Sequence, residues 1–195
     1  MTVVVPTNFA SPLTGNEVLT ASGVSSNGQP SSQNFKLTTA QIAALANTDG
    51  GVGLTVGGVA TGTFSLASSI TLTNVVGLAA TVVAGGVYQV DIYLATTNNG
   101  TGGIKLALTG GTATATSVLL DTQVYNTTTL TAETNSNTLV GPLVSAAVAA
   151  TLVFITGTIT VNAAGTIQLQ AAQNTSNATA LTVTNGSYIS LTRLV

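Results

Sequence analysis

The stretch Val153–Gln173, VFITGTITVNAAGTIQLQAAQ, decides the reading of the fold. Val153, Ile155, Ile159 and Val161 fall on one side of an extended chain and Phe154, Thr156, Thr158 and Thr160 on the other, which is the two-residue period of a β-strand with one buried face. Asn162-Ala-Ala-Gly165 supplies turn residues, and Ile167, Leu169 and Ala171 then resume the alternation against Gln168, Gln170 and Ala172. The whole reads as an antiparallel hairpin with a dry face and a Thr/Gln face. No chemistry is visible in it, and it points to a β-structural building block.

The same pattern recurs upstream and downstream. Val87–Ala95 places Tyr88, Val90, Ile92 and Leu94 on one face and Gln89, Asp91 and Tyr93 on the other, and Ile104–Leu108 alternates in the same way. Further segments lie at Ser69–Val83, Ser117–Tyr125, Leu139–Val148, Ala180–Thr184 and Ser187–Leu194, with Gly110-Gly111, Asn99-Gly100 and Asn185-Gly186 as turn signals between them. About eight strands with polar turns and almost no helix predict an all-β fold, an antiparallel jelly-roll sandwich rather than a parallel sheet. The last segment is expected inside a sheet, because a strand that ends a chain is tied down by its neighbours.

Met1–Phe35 is rich in Ser, Thr, Asn, Pro and Gly and reads as extended, either a frayed terminus or an N-terminal arm whose apolar residues Val3, Val4, Val5, Phe9, Leu13 and Val18 hold it to a neighbour. Thr38–Ala46 carries the one helix signal: Thr38 or Thr39 as N-cap, Gln41 three residues after Thr38, and Ile42, Leu45 and Ala46 on one face. Gly50–Thr63 is glycine-dense without phosphate-loop spacing and reads as turns and a bulged connection. The expected organisation is therefore residues 1–69 as an arm with a short helix at about 38–47 and a Gly-rich connection, then residues 70–195 as the jelly-roll domain.

Composition narrows the function. Only 4% of the 195 residues are charged, against about 25% in ordinary soluble chains, so the surface must be covered by neutral polar groups or hidden against other subunits. A formal net charge of −2 without Lys/Arg clusters lacks the electrostatic footprint of nucleic-acid binding. Leu139–Ile155 is uncharged and the mean hydropathy is +0.53, but Gly141-Pro142, the absence of flanking Lys/Arg and the run into an alternating strand favour β-structure over a membrane span. MTVVVPTNFA has neither a basic n-region nor a sustained apolar h-region, so synthesis in the cytoplasm without Sec export is expected.

With no His and no Cys, catalytic triads, thiol nucleophiles and ordinary zinc sites are excluded, and neither a metal nor another cofactor is expected. A two-carboxylate glycosidase could draw on Asp91 with Asp121 or Glu133, but motif-free carboxylates on strands are better read as solvated or turn residues, and the chain is expected not to be an enzyme. Calcium at Asn47-Thr-Asp49 lacks the EF-hand spacing, and the five N-x-[ST] sequons follow from Asn and Thr abundance. The few aromatics are expected to fill core and interface. Tyr88, Tyr93, Tyr125, Tyr188 and Phe154 can anchor a subunit interface or stack on sugars; Tyr88, Tyr93, Phe154 and Tyr188 are the candidates for a trimer interface, with Arg193 able to close an inter-subunit contact to Asp91 or Glu133.

Taken in order, Tyr88-x-Val-x-Ile-Tyr, Gly102-Gly-Ile-Lys-Leu, Ile155-Thr-Gly-Thr-Ile, Ala164-Gly-Thr-Ile-x-Leu-Gln-x-Ala-Gln and Gly186-Ser-Tyr-Ile-x-Leu-x-Arg-Leu resemble the jelly-roll modules of tailed-phage virion proteins, of TNF/C1q-like outline. These are capsid-decoration (cement) proteins, head fibres and tail-fibre tips, and the resemblance covers about residues 74–195. Ser11-Pro-Leu-Thr-Gly-x-Glu-Val18 followed by Thr39-Ala-Gln-Ile-Ala-Ala-Leu45 is similar to a segment common in phage structural proteins. The resemblance implies a homotrimer on the capsid surface, made in the bacterial host cytoplasm, that stabilises the head while its arm holds the major capsid protein or another virion protein. Nucleic acid and membrane are not expected partners. The alternative it implies is a head- or tail-fibre module that recognises host carbohydrate on loops such as Thr96–Gly103 or Thr127–Thr138.

Overall fold

A computed structural model describes residues 53–195 together with the strands β1 (Val18–Val24) and β2 (Pro30–Lys36). The chain divides into two units, Met1–Gly51 and Val52–Val195. In the first, β1 and β2 pair antiparallel, Val18 opposite Lys36 and Val24 opposite Pro30, so part of the expected extended arm is a hairpin. The helix read at about 38–47 and the arm residues Val3, Val4, Val5, Phe9 and Leu13 lie outside the described residues, and Val18 opens β1.

The second unit is a sandwich of antiparallel strands: β3 (Thr55–Val59), β4 (Phe64–Leu66), β5 (Thr73–Val82), β6 (Val87–Thr97), β7 (Ile104–Thr109), β8 (Thr114–Asn126), β9 (Thr129–Ser136), β10 (Gly141–Ala146), β11 (Leu152–Ala163), β12 (Gly165–Ala172), β13 (Leu181–Val183) and β14 (Tyr188–Arg193). The smaller sheet has the order β10-β7-β12-β5, and the larger runs β3-β14-β6-β11-β8-β9, with β13 pairing β6 and β4 pairing β13. Within β5–β12 the pairs nest: β5 with β12, β6 with β11, β7 with β10, β8 with β9. Eight strands wound in this way, with the chain crossing repeatedly between the two sheets, form a jelly roll.

Alternation explains the layers. Val90, Ile92 and Leu94 of β6, Val153, Ile155, Ile159 and Val161 of β11, and Ile167, Leu169 and Ala171 of β12 are all buried between the sheets. β14 lies between β3 and β6, as expected for the closing strand, with Ile189 and Leu191 inward.

The hairpin expected over Val153–Gln173 is not one. β11 is flanked on both sides, by β6 and β8, so no edge is left for β12, and the chain crosses at Ala163-Ala164-Gly165 into the other sheet. Alternation reports which face is dry, not which strand lies alongside; here the two dry faces meet across the core. The Gly-rich connection also differs from the expected organisation, because β3 and β4 belong to the sandwich unit, which begins at Val52 rather than residue 70. Gly57 and Gly58 are needed where β3 presses on its neighbours: a Cβ would lie 2.0 Å from Ile189 O and 2.0 Å from Gly77 O respectively. Leu139–Ile155 is β10 and the start of β11, and no helix among the described residues is long and apolar enough to cross a membrane.

Two buried or half-buried amides hold the irregular parts. β5 is bulged opposite β12, where Gln168 pairs Ala79 but Gln170 pairs Asn74, and Gln168 Nε2 donates toward Val75 O at 2.8 Å and Leu78 O at 2.9 Å across the excursion. The buried Gln173 accepts from the Ser69 and Asn177 amides at 3.3 and 3.0 Å and donates to Thr179 O at 2.6 Å, tying the β12–β13 loop to the β4–β5 connection.

Candidate functional site

The outward face of the larger sheet carries two parallel rows of side chains set by strand register. In the first row, Tyr188 of β14 stands opposite Tyr93 of β6, Tyr93 opposite Phe154 of β11, and Phe154 opposite Gln123 of β8. Directly opposite residues share a face, so the three aromatics form a continuous ladder. Ring centroids of Tyr93 and Tyr188 are 5.9 Å apart and stacked, and Tyr93 and Phe154 are 5.5 Å apart and tilted by 60°. Tyr125, one outward position further along β8, meets Phe154 edge-on at 5.9 Å.

The second row, two residues along each strand, is polar: Ser190, Asp91, Thr156, Asp121 and Asn135 on β14, β6, β11, β8 and β9. Hydrogen bonds join it to the aromatic row. Tyr188 Oη donates to Asp91 Oδ2 at 3.3 Å. Tyr125 Oη donates to Gln123 Oε1 at 3.1 Å, and Gln123 Nε2 donates to Asp121 Oδ2 at 3.0 Å. Burial, with the Asp91 charge and hydrogen bond and the neighbouring Tyr93 adding to it, raises the Tyr188 phenol above its ordinary value, so it stays a neutral donor.

Of the expected interface residues, the structure brings together Tyr93, Phe154 and Tyr188. Tyr88 departs from the expectation: it takes the opposite parity on β6, is buried in the core, and its hydroxyl accepts from the Val83 amide at 3.0 Å. Arg193 pairs in register with Tyr88, so it belongs to that side of the sheet rather than to the side of Asp91, and its Nε donates to Val195 O at 2.8 Å. Tyr125, one of the aromatics expected to anchor an interface, joins them, whereas Gln123 and Asp121 are members of the face that the sequence reading does not assign to it. Their signal was the spacing in Asp121-Thr-Gln-Val-Tyr125, where every second residue is outward. Glu133, the third carboxylate considered for catalysis, stands opposite Gln123 on the edge strand β9. Asp91 and Asp121 flank Thr156 from both sides, two strand spacings apart, roughly 9.5 Å between strand axes.

Apolar groups remain open around these rows. Phe154 is 36% exposed, Val59 at the β3 end of the aromatic row 52%, Leu130 on β9 44% and Leu119 on β8 64%. Among the described residues, no group of three or more acidic side chains is gathered for a metal ion.

No family model and no curated protein matches the chain. Among solved structures it is similar to one described as the structure of infectious bursal disease virus Gt strain, at 12% identity and a TM-score of 0.21 over 97% of this chain and 49% of that one. A second, the crystal structure of the infectious bursal disease virus VP2 subviral particle, is similar at 10% identity and a TM-score of 0.21, over 96% of this chain and 50% of that one. The chain thus spans about half the length of the structures it matches.

Proposed function

We propose that the chain is a structural virion protein of a tailed phage: a capsid-decoration module that assembles as a homotrimer through the aromatic face of its larger sheet and attaches to the capsid by its N-terminal unit. The observation that carries this reading is the ladder Tyr188–Tyr93–Phe154, set on an outward sheet face and fringed by the exposed Val59, Leu130 and Leu119. Aromatic side chains bring large contact area with little entropy to lose, and they concentrate at interface centres. The low charge of the chain suits the same role, since neutral surface is cheap to desolvate between copies. The division at Gly51 separates a sandwich with its own core from the part that would hold the capsid.

Sedimentation of the full chain tests the assembly. The wild type is expected to run as a trimer, and Tyr93→Ser combined with Phe154→Ser as a monomer with the sandwich still folded. A trimer that survives the double substitution would place the interface elsewhere. Removal of Met1–Gly51 is expected to abolish binding to undecorated capsids while the trimer persists. The alternative, a fibre module holding host carbohydrate on loops, is weakened in one particular: Thr129–Ser136, most of the second loop, is strand β9.

A further inference from the structure

A cavity of about 530 Å³ opens on the same sheet where β8, β9 and β11 run side by side. Asp121, Asn135 and Thr156 are neighbours in one cross-strand row and line it together with Leu119, Asn137 and Gly157. Gly157 lets β11 lie close against β8 at the cavity: its φ of +146° suits glycine alone, and a Cβ there would lie 2.0 Å from Leu119 O.

We propose that this cavity, at the β8–β9 margin of the face assigned above to assembly and outside the aromatic ladder, binds a neutral saccharide. Its volume lies within the roughly 300–1,000 Å³ of small-molecule sites. One carboxylate, two carboxamides and two hydroxyls, of Thr156 and Ser136, line it, with no cationic side chain, which disfavours phosphate or another anion. A lone carboxylate is equally poor for a divalent cation, which requires several oxygen ligands. Sugar hydroxyls both donate and accept, and so match a carboxylate acceptor set among amides.

The carboxylate is already oriented for this. Asp121 Oδ2 is held by Gln123 Nε2 at 3.0 Å, whereas Oδ1 is buried and receives no hydrogen bond from the protein. Such an oxygen is short of a donor. Because Asp121 lines the cavity, this under-bonded carboxylate lies beside the space that a ligand hydroxyl would enter. The C–H face of a pyranose finds the exposed Leu119 in the cavity wall. Polar groups that fix hydroxyls beside an apolar wall give orientation as well as affinity.

The test is saturation-transfer NMR on the full chain with maltotriose, cellotriose, mannotriose and acetylated chitotriose as probes. Saturation transfer to at least one of them is expected. Asp121→Ala and Asn135→Ala should each weaken it about tenfold or more, the effect of losing one strong hydrogen bond, while Gln89→Ala, on the same face but outside the cavity, leaves it unchanged. Should Asp121→Ala fail to fold, Asp121→Asn keeps the shape and exchanges an acceptor for a donor, and is expected to weaken binding as well. Transfer to none of the four, or transfer indifferent to the Asp121 and Asn135 variants, overturns the proposal. An Asp121→Asn protein whose assembly mass changes while no probe binds the wild type also overturns it, and assigns Asp121 to a subunit contact.

Discussion

Thr122 sits at an inward position of β8 between Leu120 and Val124, fully buried, and its hydroxyl has no hydrogen-bond partner among the described residues. A buried, unbonded hydroxyl loses its hydration without recompense, at about 1–3 kcal/mol. Valine has nearly the same shape without the polar group, so Thr122→Val is expected to raise stability by about 1 kcal/mol. A higher urea midpoint at unchanged slope is the measurement; a lower midpoint would mean that the hydroxyl has a partner after all. Tyr188 gives a pH dependence of known sign. Its pKa is raised in the folded protein, by burial first and by Asp91 next, so the unfolded chain loses the phenolic proton at a lower pH than the folded chain. The contribution is therefore complete below the ordinary value of 10.0 and is lost as pH rises through the folded value. Melting temperature should fall more steeply above that point in the wild type than in Tyr188→Phe, which has no proton to lose; parallel curves would remove the coupling.

Glycines separate the elements that tolerate a side chain from those that do not. On β11, a Cβ at Gly157 would meet backbone atoms of β8, at 2.0 Å from Leu119 O, and φ of +146° adds strain. Gly157→Ala is expected to cost more than about 3 kcal/mol, or to prevent folding. At Gly186 the space is open but φ is +87°, so the alanine variant should cost about 1 kcal/mol, and at Gly62, with open space and no positive φ, it should be neutral or slightly stabilising. Urea titrations of the three variants must rank in that order for the strand packing described here to hold. The same elements show what was legible in the sequence. Period-two alternation located β6, β7, β11, β12 and β14 and their buried faces, because one side of each strand is dry. It did not reveal that β11 and β12 lie in different sheets, since pairing is settled by which neighbours occupy the strand's edges. β3 was hidden because Gly57 and Gly58, chosen for close backbone approach, carry no side chain to alternate. β9 was hidden for another reason: Thr129–Ser136 is an exposed edge strand with no apolar face to mark it. At the candidate site, parity gave Tyr93, Phe154 and Tyr188 a common face only once register was known, and Tyr88 was misplaced by being grouped with them as an aromatic rather than by its parity.

At the scale of the whole molecule, the chain has few charges, a jelly roll with a dry interior, and one broad face where aromatic and carboxylate rows lie side by side. Assembly through that face would draw on apolar area, at roughly 25 cal/mol per Å² removed from water, and on ring contacts already preformed within each sheet. Neither term depends on ionic screening. Ion pairs between copies, of which Arg193 with Asp91 or Glu133 is the one the sequence allows most readily, would respond in the opposite way, since the screening length falls from roughly 10 Å at 0.1 M salt to about 3 Å at 1 M. The two contributions therefore separate in one titration. The weight-average mass of the full chain, held at a concentration near its dissociation midpoint, is expected to stay constant or to rise as NaCl is increased over that range. It should fall on cooling, as apolar association weakens. A mass that drops with salt and recovers on dialysis back into low salt at the same protein concentration would shift the interface from the aromatic ladder to Arg193. Arg193→Ala should then abolish assembly, while the Tyr93→Ser and Phe154→Ser pair leaves it intact.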